Sequence, residues 1–192
     1  MYPEKFENLI EEFSKLPGVG GKTAERYAFT LLGLNDDDIN ELAQVVKDIK
    51  KLKTCEMCGN LSEQNICEIC QDESRNTNQI CVVKDIKDLY SIENTGAFSG
   101  VYHVLGGLID TRKGILPEDL KIEDLLKRIK PETEEVILAL DPTIQGETTG
   151  LYLEKLLQDQ VHVSRLAYGI SVGSHLDYTD KKTLERAFEG RK

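Results

Sequence analysis

The sequence has no apolar stretch long enough to cross a bilayer and no basic start leading into an apolar run; its opening is acidic, with Glu4, Glu7, Glu11 and Glu12. A membrane span and an export signal are therefore not expected, and a reducing, cytoplasmic setting is. Basic charge is in short supply: 24 lysines and arginines stand against 34 aspartates and glutamates, for a formal net charge of −10. Such a chain is a poor candidate for coating nucleic acid broadly, so any contact must come from local cationic patches or from repeating a small patch in an oligomer. Histidine is scarce too. His103, His162 and His175 are scattered, and none falls in a recognisable pairing with serine or cysteine, so no nucleophilic catalytic set emerges. There is no internal repeat and no low-complexity tract.

Cysteine is also sparse, but its arrangement is informative. Four of the five cysteines form two tight pairs, Cys55-x2-Cys58 and Cys67-x2-Cys70, with eight residues between the pairs. A two-residue gap lets both thiolates of a pair turn toward one point, and two such knuckles supply the four-sulfur shell that Zn²⁺ prefers. The alternative is a disulfide framework; the expected reducing compartment favours one structural zinc per chain. The ion would staple residues 54–76, a segment too short and polar to bury a core of its own. Cys81 lies outside the set, in an apolar run, and reads as a buried strand cysteine.

With 192 residues, 40% apolar and 30% charged, the chain has a globular composition and room for one ordinary domain or two small ones plus a zinc module. Residues 4–16 place Phe6, Leu9, Ile10, Phe13 and Leu16 at helical spacing, and Pro17-Gly18-Val19-Gly20-Gly21 breaks the pattern. A second helix carries Ala24, Tyr27, Ala28 and Leu31 and stops at Gly33. A third begins after Asn35 and is expected to turn Ile39, Leu42, Val46, Ile49 and Leu52 toward a core. The lysines Lys47, Lys50, Lys51 and Lys53 at its end suit a solvated helix terminus. Residues 73–79 read as a linker. Beyond residue 80, short apolar runs (80–83, 101–105, 136–140, 161–167) alternate with helical patterns (86–93, 122–129, 148–157), which predicts a mostly parallel sheet covered on both faces. Its working residues belong in the loops after the strands: Lys84-Asp85, Gly106-Gly107 and 141–147. A last helix is expected near 181–189.

The stretch Leu16-Pro17-Gly18-Val19-Gly20-Gly21-Lys22-Thr23-Ala24 is the second informative one. Its glycines let a phosphate approach the backbone, the following helix opens with unpaired N–H groups, and Lys22 and Arg26, four apart, share a face just beyond them. That is a small, sequence-blind phosphate grip. The same residues also fit a plain turn between two packed helices. They are not a nucleotide-binding P-loop, which needs a glycine where Leu16 stands and a strand where this chain has a helix.

The order of parts resembles the RecR family of bacterial recombination mediators. The likeness runs through the Leu-Pro-Gly-Val-Gly turn, Ala28 to Leu32, the four cysteines, Gln79 to Val83, Pro142-Thr143 with Gly146-Glu147-Thr148, Arg165 to Gly169, and the ending from Leu184 to Arg191. It implies an α/β Toprim domain, a small mostly parallel sheet with flanking helices, preceded by an all-α helix-hairpin-helix domain and a four-cysteine zinc finger. The implied division is 1–53 for the helix-hairpin-helix and dimerisation domain, 54–76 for the finger, 79–165 for Toprim, and 166–192 for a C-terminal oligomerisation segment. It further implies dimers and tetrameric rings around DNA, and work with RecO and RecF to load RecA onto single-stranded or gapped DNA coated by SSB, in the bacterial cytoplasm at the nucleoid. Carried onto this chain, Lys22 and Arg26 with Gly18, Val19 and Gly20 would hold DNA, and Asp141 and Glu147 would face RecO.

Three positions depart from the family pattern. Gly21 replaces a common proline, Lys84 replaces the glutamate after the first Toprim strand, and Gln145 replaces a frequent acid. Catalytic Toprim domains hold Mg²⁺ with that glutamate and an Asp-x-Asp; here Lys84 and Asp141-Pro142-Thr143 stand instead, one carboxylate where about three are needed. The expected protein is not an enzyme. The competing readings are a metal-dependent Toprim nuclease or primase-like enzyme, and a zinc adaptor that binds only protein.

Overall fold

The computed structural model describes residues 2–167 and 169–191. The chain divides into two compact units, one ending at Leu52 and the other beginning at Lys53. The first is a set of three helices, α1 (Glu4–Ser14), α2 (Gly21–Leu32) and α3 (Asp36–Asp48), with a 3-10 turn at Ile49–Lys51. Asn35 caps α3 by accepting from the Asp38 N–H, and Asp36, Asp37 and Asp38 complement the helix dipole. The α1–α2 contact is aromatic: the Phe6 and Phe29 rings lie 4.7 Å apart, and Phe13 and Tyr27 lie 5.8 Å apart.

In this unit the expected core is largely missing. Ala24 and Ala28 are its buried residues among those described, whereas Leu42, Val46, Ile49 and Leu52 are exposed. The apolar periodicity of α3 located one face of the helix correctly. It could not show that the rest of the unit leaves that face uncovered.

The second unit begins with the finger, a two-stranded hairpin β1 (Lys53–Thr54) and β2 (Leu61–Ser62) followed by the single-turn helix α4 (Glu68–Gln71). Four parallel strands then form one sheet in the order β4-β3-β5-β6: β3 (Asn76–Val83), β4 (Gly100–Val104), β5 (Glu135–Ala139) and β6 (His162–Arg165). The linker expected at 73–79 is thus half strand. Asn76 to Gln79 extend β3 because Gln79 pairs with Glu135 of β5 and Asn76 with Gly100 of β4.

Helices α5 (Ile86–Glu93), α6 (Ile122–Arg128) and α7 (Ile144–Leu157) make the crossovers, and α8 (Lys181–Glu189) follows β6. The start of α7, one turn earlier than its apolar pattern suggests, is set by Thr143, whose hydroxyl accepts from the Gly146 N–H. Strand alternation divides the core cleanly. Ile80, Val82, Val136 and Leu138 face α6 and α7, packing on Leu125, Leu153 and Leu157, while Cys81, Val83, Tyr102 and Ala139 face α5 through Leu89. Burial pushes the Cys81 thiol up to about 12, so it behaves as a small apolar side chain.

Although β4 is an edge strand, all five of its residues are buried. Three of its outward backbone groups have partners. Arg75 donates to the Gly100 carbonyl, Arg128 to the Tyr102 carbonyl, and the Val104 N–H donates to the Cys58 carbonyl of the finger at 2.8 Å. Arg75 is itself held by Glu93, which also accepts from the Tyr102 hydroxyl.

Candidate functional site

The finger builds its metal site from two turns. The Cys55 N–H donates to the Asn60 carbonyl (2.7 Å) and the Gly59 N–H to the Cys55 carbonyl (2.9 Å), closing the first knuckle. Gly59 sits at φ +81°, and a Cβ there would come within 3.2 Å of Val104, so this position needs glycine on both counts. The four sulfurs of Cys55, Cys58, Cys67 and Cys70 lie within 4.8 Å of one another. A zinc tetrahedron with bonds of about 2.3 Å spaces sulfurs about 3.8 Å apart, so small adjustments close the shell. Backbone N–H groups of Asn60 and Cys67 point at the sulfurs of Cys58 and Cys55, 3.5 and 3.3 Å away, and these contacts favour thiolates. Hydrogen bonding from Cys58 and Cys70 holds Cys67 down as the preferred thiolate, while donation to it raises Cys58 to about 12. A dication is what such a crowded thiol set fits.

In the hairpin, Gly18 takes φ +81°, where a side chain would strain the turn, and the Val19 N–H closes on the Leu16 carbonyl at 3.0 Å. Gly20 is the N-cap of α2 and offers no side chain, so the first-turn N–H groups of α2 have no side-chain cap. Lys22 and Arg26 are both exposed on the helix that follows, and the Arg26 guanidinium lies 5.7 Å from the centre of the Tyr27 ring.

At the strand ends, Lys84 sits among carboxylates. Its Nζ is 2.7 Å from Asp141 Oδ2 and 3.6 Å from both Asp85 and Asp88. Donation to Asp141 holds the ammonium above its usual range. The Asp85 side chain caps α5 by accepting from the N–H groups of Lys87 and Asp88. Beside them, Gln145 Nε2 donates to the buried Asp110 at 3.3 Å. Gly146 lets the α7 start press on this loop, since a Cβ there would lie 2.0 Å from the Asp141 carbonyl oxygen.

Glu147, one residue on, is held by two arginines. Arg165 of β6 gives Nη1 to its Oε2 at 2.8 Å and forks onto Glu154 at 2.6 and 2.8 Å. Arg186 of α8 lies 2.8 Å from Glu147 Oε1. Burial opposes ionisation of Glu147, yet the two guanidiniums, Arg186 foremost, bring its net shift below the ordinary carboxylate range. Gly150 makes room for this cluster, because a Cβ there would stand 3.0 Å from the Arg165 guanidinium.

Family models match every part of this layout: the RecR helix-hairpin-helix over residues 6–50, the RecR four-cysteine zinc finger domain over 52–72, the Toprim domain over 78–167 and the RecR C-terminal region over 169–192. The "Recombination protein RecR" of Natranaerobius thermophilus is 46% identical over 194 residues, covering 100% of this chain and 98% of that protein. That of Leifsonia xyli subsp. xyli is 47% identical over 195 residues, with the same coverage. The chain belongs to the RecR family.

Membership in the RecR family brings a role in DNA recombination and repair, and the four cysteines fit its structural zinc ion. Among the described residues, no helix is long and apolar enough to cross a membrane. Several residues singled out in the sequence come together as neighbours. The four cysteines form one cluster, and Lys84 meets Asp141 across 57 positions of sequence. Asp141 and Glu147 flank the start of α7, each already paired with a cation. Tyr168, within one RecR-like motif, lies outside the described residues. Sequence reasoning missed the roles of Arg165, Arg186 and Asp110. A signal for Arg165 existed in Gly150, a residue without a side chain on α7 that clears space for a large one.

Proposed function

We propose that this RecR-family chain is a non-catalytic DNA-binding recombination mediator. It forms a ring-like clamp that, with RecO and RecF, helps load RecA onto SSB-coated single-stranded or gapped DNA in the bacterial cytoplasm. The working parts divide as 1–53 for DNA grip and dimerisation, 54–76 for the finger, 79–165 for Toprim and 166–192 for ring closure. The observation that carries the reading is the uncapped start of α2 beside exposed Lys22 and Arg26, with Gly18, Val19 and Gly20 leaving the backbone open to a phosphate. Contacts of this kind position a duplex without reading its bases.

Multiplicity reconciles that grip with an acidic chain. One protomer offers about two such cations, and a four-membered ring about eight, so log affinity for duplex should fall with log salt at a slope of about −7 rather than about −2. The uncovered apolar residues Leu32, Val45, Val46 and Ile49, and an apolar groove of about 580 Å³ lined by Phe6, Leu9, Phe29 and Leu32, supply surface for dimerisation through the first unit. Lys84 supports the absence of catalysis, since its ammonium sits where a Toprim metal would need carboxylates. Asp141 and Glu147 are the partner-facing acids.

Lys22→Ala and Arg26→Ala should each weaken DNA binding on all sequences and flatten the salt slope; binding that is unchanged in both variants at low salt excludes the hairpin as the grip. Native mass spectrometry with and without DNA and RecO tests the ring, and a lone protomer under every condition rules it out. Cleavage or synthesis appearing with Mg²⁺ or Mn²⁺ in a nuclease-free preparation would restore the enzyme reading.

A further inference from the structure

Asp141 and Glu147, the acids of the proposed partner surface, are neutralised at close range within the chain. Lys84 stands 2.7 Å from the first, and Arg165 and Arg186 each stand 2.8 Å from the second. A third carboxylate beside them is held differently. Asp110, in the loop after β4, is only 8% exposed, yet its ion pair is with Arg112 Nε at 3.7 Å, on a side chain that is itself 78% exposed. Two neutral donors complete its contacts, the Arg112 N–H at 3.2 Å and Gln145 Nε2 at 3.3 Å. A buried carboxylate so weakly compensated gains more from an added cation than one already paired.

Asp110 lines two openings. One, of about 280 Å³, it shares with Lys84 and Thr143, which makes it continuous with the Asp141 face. The other is a groove of about 330 Å³ between the loop and the start of α7, with Arg112, Ile144 and Thr148 among its walls. Ile144 is 78% exposed, so the groove has an apolar rim beside its acidic floor. Its shape is fixed in advance. The Ile109 N–H donates to the buried Thr149 hydroxyl at 2.9 Å, and Asp110 and Ile115 exchange backbone hydrogen bonds of 3.0 Å. A site built this way has little ordering left to do on binding.

We propose that this groove is where the partner protein anchors, and that its occupant is an arginine side chain of that partner seated on Asp110. The inference rests on the reading of Asp141 and Glu147 as partner-facing acids, and it moves the main contact from them to a residue without a close cation of its own. A guanidinium suits the place, because its planar fork takes a carboxylate in two parallel hydrogen bonds. The exposed Arg112 side chain gives way to it, and Ile144 covers its aliphatic stem. Buried charge pairs of this kind at the centre of an interface dominate its affinity, while charges at the rim add little.

The test uses the full chain and RecO as the probe, with affinity measured by calorimetry for the wild type, Asp110→Asn, Thr148→Lys, Thr148→Ala, Asp141→Asn and Glu147→Gln. Thr148 is exposed on α7, and lysine and alanine are good helix formers, so both of its variants are expected to fold. The anchor predicts RecO binding weaker by about thirtyfold in D110N. It predicts a loss of about tenfold in T148K, whose ammonium competes for the groove, and wild-type affinity in T148A. Wild-type or tighter binding in T148K overturns the anchor even where D110N is weak, since Asp110 then acts only on the loop. That result together with loss in D141N or E147Q leaves the partner reading standing. Wild-type affinity in D110N, D141N and E147Q alike overturns the partner reading itself. Native mass spectrometry without RecO in which T148K lowers the oligomer makes the occupant a second copy of this chain, and overturns the anchor as well.

Discussion

The two units of this chain solve the problem of stability in opposite ways. The second surrounds a parallel sheet with two separate apolar layers and fastens its edge with hydrogen bonds. The first has three helices and a pair of buried alanines, and it leaves an aliphatic face on α3 in water. The comparison shows where each unit places its apolar residues: the second buries its strand residues in two layers, whereas the helical unit leaves much of the apolar face of α3 exposed.

The sharpest way to break this contrast is to remove the zinc. One zinc per chain should be found by elemental analysis of protein purified without chelator, and its removal should unfold the finger, because binding free energy in such modules, about 10–16 kcal/mol, is folding free energy. Loss of protection at the Val104 amide, which donates to the Cys58 carbonyl, should accompany it, while exchange within α2 stays as it was. Next in size are core substitutions. Leu153→Ala, in the fully buried layer under α7, should cost about 2–5 kcal/mol in a urea melt of the second unit.

A smaller, pH-dependent effect comes from His103. It is buried, its Nε2 is 2.8 Å from the Lys121 carbonyl, and its Nδ1 faces Arg128 at 3.3 Å. Only the neutral ring with the proton on Nε2 satisfies both contacts. Desolvation, with Arg128 adding to it, brings the group down to about 4. The unfolded chain therefore takes up a proton first as pH falls. Stability is full above about pH 6.5 and declines toward pH 4, by a total on the order of 3 kcal/mol. Urea melts at pH 7 and 4.5, with the His103 ring followed by NMR, check the sign and the size. The smallest effect belongs to the first unit. Val46→Ser should change the melting of dilute protomer by no more than about 0.5 kcal/mol, yet lower the mass seen at high concentration if this face is a dimer surface.

Local features were the most legible in the sequence. The knuckle spacing of the cysteines, the span of α5 at Ile86–Glu93 and that of α8 at Lys181–Glu189 all follow from neighbours a few residues apart. What could not be read was pairing at a distance. Nothing near Cys58 says that its carbonyl will meet Val104, and nothing near Arg165 says that it will lie across Gly150. The linker at 73–79 was misassigned for the same reason, since polar residues such as Asn76 and Gln79 become strand only when β4 and β5 are there to pair with them. The mistake on α3 was different in kind. Periodicity identifies which side of a helix avoids water; whether the rest of the chain can shelter that side is a question of how much polypeptide remains.

The fastening of β4 also limits how molecules of this kind can accumulate. A bare strand at the margin of a sheet is a template on which a second sheet can grow, and crowded proteins aggregate along such margins. Here two guanidiniums and a knuckle carbonyl already occupy the β4 margin, which leaves less of it open as a template for a strand from another copy.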